Sequence, residues 1–168
     1  MNRVVLMLFA TSLACTHARA QVLHTISTRW NDSFVEWELF SLPTQDAEET
    51  EEYKSGEIKQ RWLQIREDWS EWEFETDSMR GTIRAKWKDN PSEWELRTYD
   101  GDIITLRPVF PRDFTQWRVT DNTIALEIKS KYTSQLDEWL VQDSGHGTFY
   151  MYTLRARDPR DWAIEDHL

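Results

Sequence analysis

Glu71-Trp72-Glu73-Phe74-Glu75-Thr76-Asp77-Ser78-Met79-Arg80-Gly81-Thr82-Ile83-Arg84-Ala85-Lys86-Trp87-Lys88-Asp89-Asn90-Pro91-Ser92-Glu93-Trp94-Glu95-Leu96 states one phrase and begins to repeat it. Glu71-Trp72-Glu73-Phe74 and Glu93-Trp94-Glu95-Leu96 share a pattern: Trp and the residue two later are apolar, and acids flank them. That period-two alternation is the mark of a half-buried strand. Gly81 offers a turn, because glycine takes positive φ without steric cost. Ile83-Arg84-Ala85-Lys86-Trp87 then reads as a second strand, so the unit is a β-hairpin. Asp89-Asn90-Pro91-Ser92 carries turn chemistry into the next copy.

The phrase extends along the chain. Tryptophan stands at 72, 94, 117, 139 and 162, at steps of 22 or 23 residues, and Trp37 lies 35 residues before Trp72. A fixed period of this size marks a repeat architecture. The other copies open with Glu36-Trp37-Glu38-Leu39, Gln116-Trp117-Arg118-Val119, Glu138-Trp139-Leu140-Val141 and Asp161-Trp162-Ala163-Ile164. Gly56, Gly101, Asn122 and Gly147 are their candidate turns. The second strands read Ile58-Lys59-Gln60-Arg61-Trp62, Ile104-Thr105-Leu106, Ile124-Ala125-Leu126-Glu127-Ile128 and Phe149-Tyr150-Met151-Tyr152. Their apolar phase is ambiguous at Ile104-Thr105-Leu106 and Phe149-Tyr150-Met151-Tyr152. Pro111-Arg112-Asp113 and Asp158-Pro159-Arg160 are further links with turn chemistry.

The ends complement each other. A lone second strand, Ile26-Ser27-Thr28-Arg29-Trp30, begins the series, and a lone first strand from Trp162 ends it. Pairing them makes a sixth hairpin and removes the exposed edges that invite aggregation. The expectation is an all-β closed barrel of about twelve antiparallel strands. A β-trefoil repeats three-fold, whereas these six copies look alike, and a propeller needs four strands per blade. The repeat Trp, joined by Trp30, Trp62 and Trp87, are expected to fill the interior.

This rhythm of Trp-x-apolar, glycine and apolar hairpin resembles the tubby-like barrels, including the scramblase and plant LURP-one families. The resemblance spans the repeat region and rests on pattern. It implies a barrel around a hydrophobic central helix near the C-terminus, and a lipid function. The chain has no such apolar stretch there.

Residues 1–20 read as a secretory signal, with Arg3, an apolar run over residues 4–14, and Ala18-Arg19-Ala20 as the cleavage site before Gln21. The run is too short to span a bilayer. The expected product is one secreted or periplasmic domain over residues 21–168; lipidation at Cys15 and a retained apolar plug are the alternatives. Cleavage removes the only cysteine, so stability must come from the core. The formal net charge of −10 becomes −12 once Arg3 and Arg19 leave. An acidic surface without a basic groove argues against nucleic acid. Glu36, Glu38, Glu71, Glu73, Glu75, Glu93 and Glu95 on first strands face Arg29, Lys59, Arg61, Arg84 and Lys86 on second strands, so cross-strand pairs are expected outside.

Three features are candidates for function. The stretch between Trp37 and Trp72 holds an acidic loop over residues 43–55, with Asp46, Glu48, Glu49, Glu51 and Glu52, suited to a basic partner or a hard cation. It lacks the spacing of a calcium loop. The residues before each Trp (Glu36, Glu71, Glu93, Gln116, Glu138 and Asp161) should form a ring at one level. Such a ring either concentrates cations or pairs with neighbouring Lys and Arg. Trp69 stands outside the repeat register, and Tyr150 and Tyr152 flank Met151. Exposed aromatics beside carboxylates suit sugars, because ring faces stack while carboxylates accept hydroxyl protons. The histidines His24, His146 and His167 make no triad or metal-ligand spacing. Asn31-Asp32-Ser33 matches the N-glycosylation pattern. The expectation is a monomeric, exported, non-enzymatic binding or structural module without cofactor or metal, its partner an unknown protein or glycan. A carbohydrate-binding module is the alternative. A small secreted hydrolase using paired carboxylates is the third reading.

Overall fold

Alternation closes the sheet on itself. The computed structural model describes residues 22–43, 51–62, 68–121, 123–143 and 147–166. The leader, Asp46, Glu48, Glu49, Asn122, His146 and His167 lie outside them. The strands are β1 (Val22–Trp30), β2 (Ser33–Leu42), β3 (Tyr53–Gln60), β4 (Glu71–Thr76), β5 (Arg80–Trp87), β6 (Asn90–Thr98), β7 (Ile103–Pro108), β8 (Gln116–Thr120), β9 (Ala125–Tyr132), β10 (Gln135–Asp143), β11 (Gly147–Arg155) and β12 (Asp158–Asp166). Each pairs antiparallel with its neighbours in sequence, and β12 returns to β1 to close a twelve-stranded barrel. The closing register is Ile26↔Trp162, the pairing expected from the chain's complementary ends. Among the described residues there is no helix, and so none long and apolar enough to cross a membrane.

The interior is built in layers. Trp37, Trp72, Trp94, Trp117, Trp139 and Trp162 expose 2% or less of their surface, which leaves no water-sized space against them. Each stands between an aliphatic residue on one neighbouring strand and a smaller or polar one on the other. Trp94 pairs with Leu106 and Ala85, Trp162 with Ile26 and Thr153, and Trp139 with Met151 and Ser130. Leu39, Phe74, Leu96, Val119, Val141 and Ile164, two residues on, form the next buried layer. A buried indole N–H needs an acceptor. In all six copies it donates to the carbonyl three residues earlier, at 2.8–3.0 Å. Those residues are Phe34, Trp69, Pro91, Phe114, Leu136 and Pro159, apolar every time. Trp69 is therefore in the repeat register, not outside it. Its ring packs 5.8 Å from Trp72, as Phe34 does from Trp37 at 6.1 Å and Phe114 from Trp117 at 5.6 Å.

Trp30, Trp62 and Trp87 do not fill the core: they are 50%, 40% and 57% exposed. Each stands two residues beyond the position that faces a core Trp, past the buried layers, and in two of these hairpins the register also shifts there. Thr28↔Trp37 is followed by Trp30↔Ser33, and Ala85↔Trp94 by Trp87↔Asn90. The same shift recurs before Tyr132↔Gln135 and Arg155↔Asp158. In each case the two extra residues belong to the strand that carries the core Trp, so the opposite strand keeps its alternation.

Gly56 and Gly81 are likewise not turns. Both lie inside strands, where Gly56 faces Leu39 and Thr76, and Gly81 faces Phe74 and Thr98. The need is for close approach: a Cβ on Gly81 would lie 2.0 Å from the Arg97 carbonyl oxygen and 2.9 Å from the Phe74 ring. Gly81→Ala is expected to destabilise by about 1–3 kcal/mol, since backbone must move to admit the methyl. A fall in the denaturant midpoint at constant slope would show it; an unchanged midpoint would mean that β5 and β6 give way freely. Gly101 is a turn glycine, with φ +105°. Gly147 opens β11. Asn90 opens β6 and Asp158-Pro159-Arg160 begins β12, so these links sit within strands. The long gap between Trp37 and Trp72 is shared by two connections, residues 43–52 and 61–70, and Tyr53, Lys54 and Ser55 belong to β3.

Candidate functional site

An up-and-down barrel has two rims. One carries the β2–β3, β4–β5, β6–β7, β8–β9 and β10–β11 connections together with both ends of the strand series. Glu51 and Glu52, the described part of the acidic loop, are exposed there. The other rim carries the six hairpin connections that lead into the Trp strands. Trp30, Trp62, Trp87, Phe110, Phe114 and Tyr132 stand exposed at this second rim, whereas Tyr53 and Tyr99 stand at the first.

The second strands share one frame, aligned by their pairing with Trp. It runs Ile26-Ser27-Thr28-Arg29-Trp30, Ile58-Lys59-Gln60-Arg61-Trp62, Ile83-Arg84-Ala85-Lys86-Trp87, Leu106-Arg107-Pro108-Val109-Phe110, Ile128-Lys129-Ser130-Lys131-Tyr132 and Met151-Tyr152-Thr153-Leu154-Arg155. The first residue is inward and aliphatic, and the third lies beside the core Trp. The fifth emerges at the rim. Five of these six rim residues are aromatic, and Phe110 and Tyr132 are 56% and 45% exposed.

Four rings are braced in the same way. The cation preceding each ring lies over its face: Arg29 over Trp30 at 5.2 Å, Arg61 over Trp62 at 5.1 Å, Lys86 over Trp87 at 5.7 Å, Lys131 over Tyr132 at 5.4 Å. The carboxylate before the next core Trp meets that cation. Arg29–Glu36 is 3.3 Å, Arg61–Glu71 3.8 Å, Lys86–Glu93 2.9 Å and Lys131–Glu138 2.5 Å. The Trp30 indole donates to Glu36 at 3.2 Å, and the Trp62 indole donates to Glu71. The Lys86 ammonium foremost, with a smaller contribution from the Trp87 indole, holds the Glu93 carboxyl below its ordinary range.

The ring of residues before Trp therefore exists, and its four glutamates are paired with neighbouring Lys and Arg. Gln116 and Asp161 mark the two copies where the brace is absent, with Val109-Phe110 and Leu154-Arg155 opposite them. The remaining outer wall carries the expected cross-strand pairs, including Arg84–Glu95 at 3.0 Å and Lys54–Glu38 at 2.9 Å.

Between β6 and the β7–β8 hairpin lies a cleft of about 580 Å³. Its walls include Arg107, Arg112, Arg118, Phe114, Pro111 and Glu93.

Tyr150 and Tyr152 stand on the outer wall of β11, with Met151 turned inward. The Tyr152 hydroxyl donates to Glu165 at 2.6 Å, which raises its pKa. Trp69 precedes β4, five strands away around the barrel, so the structure does not bring it together with these tyrosines. Among the described residues no group of three or more His, Asp and Glu is placed to hold a metal ion. The rim residues Trp30, Trp62, Trp87, Phe110 and Tyr132 were not singled out as a site by pattern alone. The available signal was the basic residue directly before an aromatic, as in Arg29-Trp30, Arg61-Trp62, Lys86-Trp87 and Lys131-Tyr132. Comparison of the chain with known protein families, curated proteins and solved structures found no match.

Proposed function

We propose that this chain is an exported, non-enzymatic carbohydrate-binding module that receives a glycan across its aromatic rim. The observation that carries the reading is the fourfold recurrence of an exposed ring beside a carboxylate: Trp30 with Glu36, Trp62 with Glu71, Trp87 with Glu93, Tyr132 with Glu138. A sugar's C–H face stacks on such a ring, and its hydroxyls donate to the carboxylate. Glu36 accepts both of its bonds at Oε2, and a carboxylate has about four acceptor sites. The cation on one face of each ring fixes its orientation, so little side-chain freedom is lost on binding. Equivalent rim positions lie two strands apart, roughly 10–13 Å when strand tilt is included, which suits successive disaccharide units.

A hydrolase working through two carboxylates needs one with a raised pKa to act as acid. Glu93 is shifted the other way by Lys86, so it does not supply that acid. The acidic net charge of −10 disfavours nucleic acid and anionic lipid as ligands. Export rests on the sequence of residues 1–20.

The double variant Trp30→Ala/Trp87→Ala is expected to bind glycans at least about tenfold more weakly, or about 1.4 kcal/mol. Its stability should fall by only about 0.5–1 kcal/mol per ring, the worth of an exposed cation–π pair. Glycan microarrays followed by titration calorimetry, alongside thermal melts, measure both. Glycan binding that survives the double variant, or a parent protein silent on every glycan, would overturn the reading.

A further inference from the structure

The β7–β8 copy departs from the repeat in both its brace and its hairpin, and a cleft opens there. Four hairpins of this rim turn through two residues: Asn31-Asp32, Lys88-Asp89, Thr133-Ser134 and Ala156-Arg157. The β3–β4 connection runs over residues 61–70 and the β7–β8 connection over residues 109–115. Within this copy Val109 replaces the bracing cation and Gln116 the carboxylate. Arg112 in the connection has φ 66°, a left-handed conformation costing a non-glycine residue about 1–2 kcal/mol. Asp113 holds the turn by accepting from the Thr115 backbone N–H at 2.9 Å and its hydroxyl at 2.6 Å.

The loss of the brace leaves guanidinium groups uncovered. Arg107 and Arg118 are direct cross-strand partners, and with Arg112 they face the same cleft. Arg118 shares Glu127 at 2.9 Å. Arg107 and Arg112 make no ion pair among the described residues. The one carboxylate in the lining, Glu93, is bonded to Lys86 and also feels the charge of Arg107 at longer range. Three converging guanidiniums against one paired carboxylate is an unusual balance in a chain of net charge −10. Like charges set side by side repel, and an oxyanion between them relieves that repulsion. Arginine is suited to this role, because its planar fork bonds two oxygens of a carboxylate or sulfate at once. Phe114 and Pro111 supply an apolar wall for the carbon skeleton that bears the anion.

We infer that the Arg107–Arg112–Arg118 cleft is an anion subsite that takes the carboxylate or sulfate group of an acidic sugar. The sugar identity rests on the glycan reading of the rim, and the cleft adds a preference for acidic over neutral chains. The protein's net charge opposes any acidic polymer, so such a preference must come from a local site.

The test uses the mature chain and the variant Arg107→Gln/Arg112→Gln. Calorimetry would compare neutral cello-oligosaccharides with oligogalacturonate and with sulfated galactan oligosaccharides. Inorganic sulfate would be titrated in parallel, with the arginine Nε–H resonances as readout. The expected result is acidic binding at least about tenfold tighter than neutral, an advantage removed by the variant and by high salt. Neutral binding and the melt should be unchanged in the variant. The carboxylated and sulfated chains identify which oxyanion is preferred. Equal affinity for acidic and neutral chains, indifferent to the variant, would overturn the cleft proposal and leave the rim reading standing. Sulfate shifts at Arg107, Arg112 and Arg118 without any glycan binding would uphold the anion site and overturn the rim reading. Silence toward both sulfate and acidic chains would overturn the cleft proposal.

Discussion

A chain ending at Arg157 should show no cooperative unfolding transition. It lacks β12, and with it Trp162, Ala163 and Ile164 of the core. Losing one buried Trp alone costs about 3–5 kcal/mol. The ladders that β12 makes with β1 and β11 go as well. A domain's whole stability is about 5–15 kcal/mol, so these losses together exhaust it. Two sheet edges are also uncovered at once, and exposed edges associate. Circular dichroism melts and size-exclusion chromatography would read a flat melt and aggregates. A truncated chain that kept a cooperative, monomeric melt would show that the barrel does not depend on closure through β1 and β12.

Trp94→Ala should be the most costly kind of point substitution, at about 3–5 kcal/mol. The ring is 1% exposed, lies between Leu106 and Ala85, and bonds the Pro91 carbonyl at 2.9 Å. Alanine leaves a cavity that rigid strands cannot close, and it also removes the partner of that carbonyl. Trp87→Ala, only seven residues away in sequence, is the internal control. Its ring is 57% exposed, and its loss should cost about 0.5–1 kcal/mol. Urea titrations of the two variants would separate them by several-fold. Equal costs would mean that inner and rim tryptophans had been assigned to the wrong sides of the wall.

That contrast also marks where reading the sequence succeeds. The period of the Trp phrase, its inward face and the pairing of the first strand with the last follow from alternation and from the complementary ends, and all three hold. Alternation assigns Trp30 and Trp87 to the interior because each is four residues from an inward aliphatic, Ile26 or Ile83. That parity holds, but the buried layers end at Trp37 and Trp94, and Trp30 and Trp87 lie beyond them at the rim, a level that one strand's alternation does not reveal. Gly56 and Gly81 mislead for a related reason. Glycine serves positive φ in a turn and close approach in a strand, and the sequence alone does not say which. The carboxylates of the candidate site were legible as a ring. Their pairing with Arg29, Arg61 and Lys86 was legible too; the exposed rings under those cations were not, because Trp30, Trp62 and Trp87 share the parity of the core. The arginine cleft was least legible. Val109 and Gln116 are ordinary residues, and they gain meaning only from what the other copies hold at the same positions.

The wiring of the barrel also bears on how it forms. Each strand from β2 to β11 bonds only to the strands before and after it, so every one of those pairings is a local hairpin. Local pairings form within microseconds once their residues exist. The β1–β12 pairing spans nearly the whole domain and carries the heaviest loop-closure entropy. During vectorial synthesis the hairpins accumulate as an open, curling ribbon, and β1 waits at its edge until the last strand emerges. Until β12 meets β1 the ribbon keeps two open edges, β1 and the newest strand, and any factor that shields it before completion must cover both.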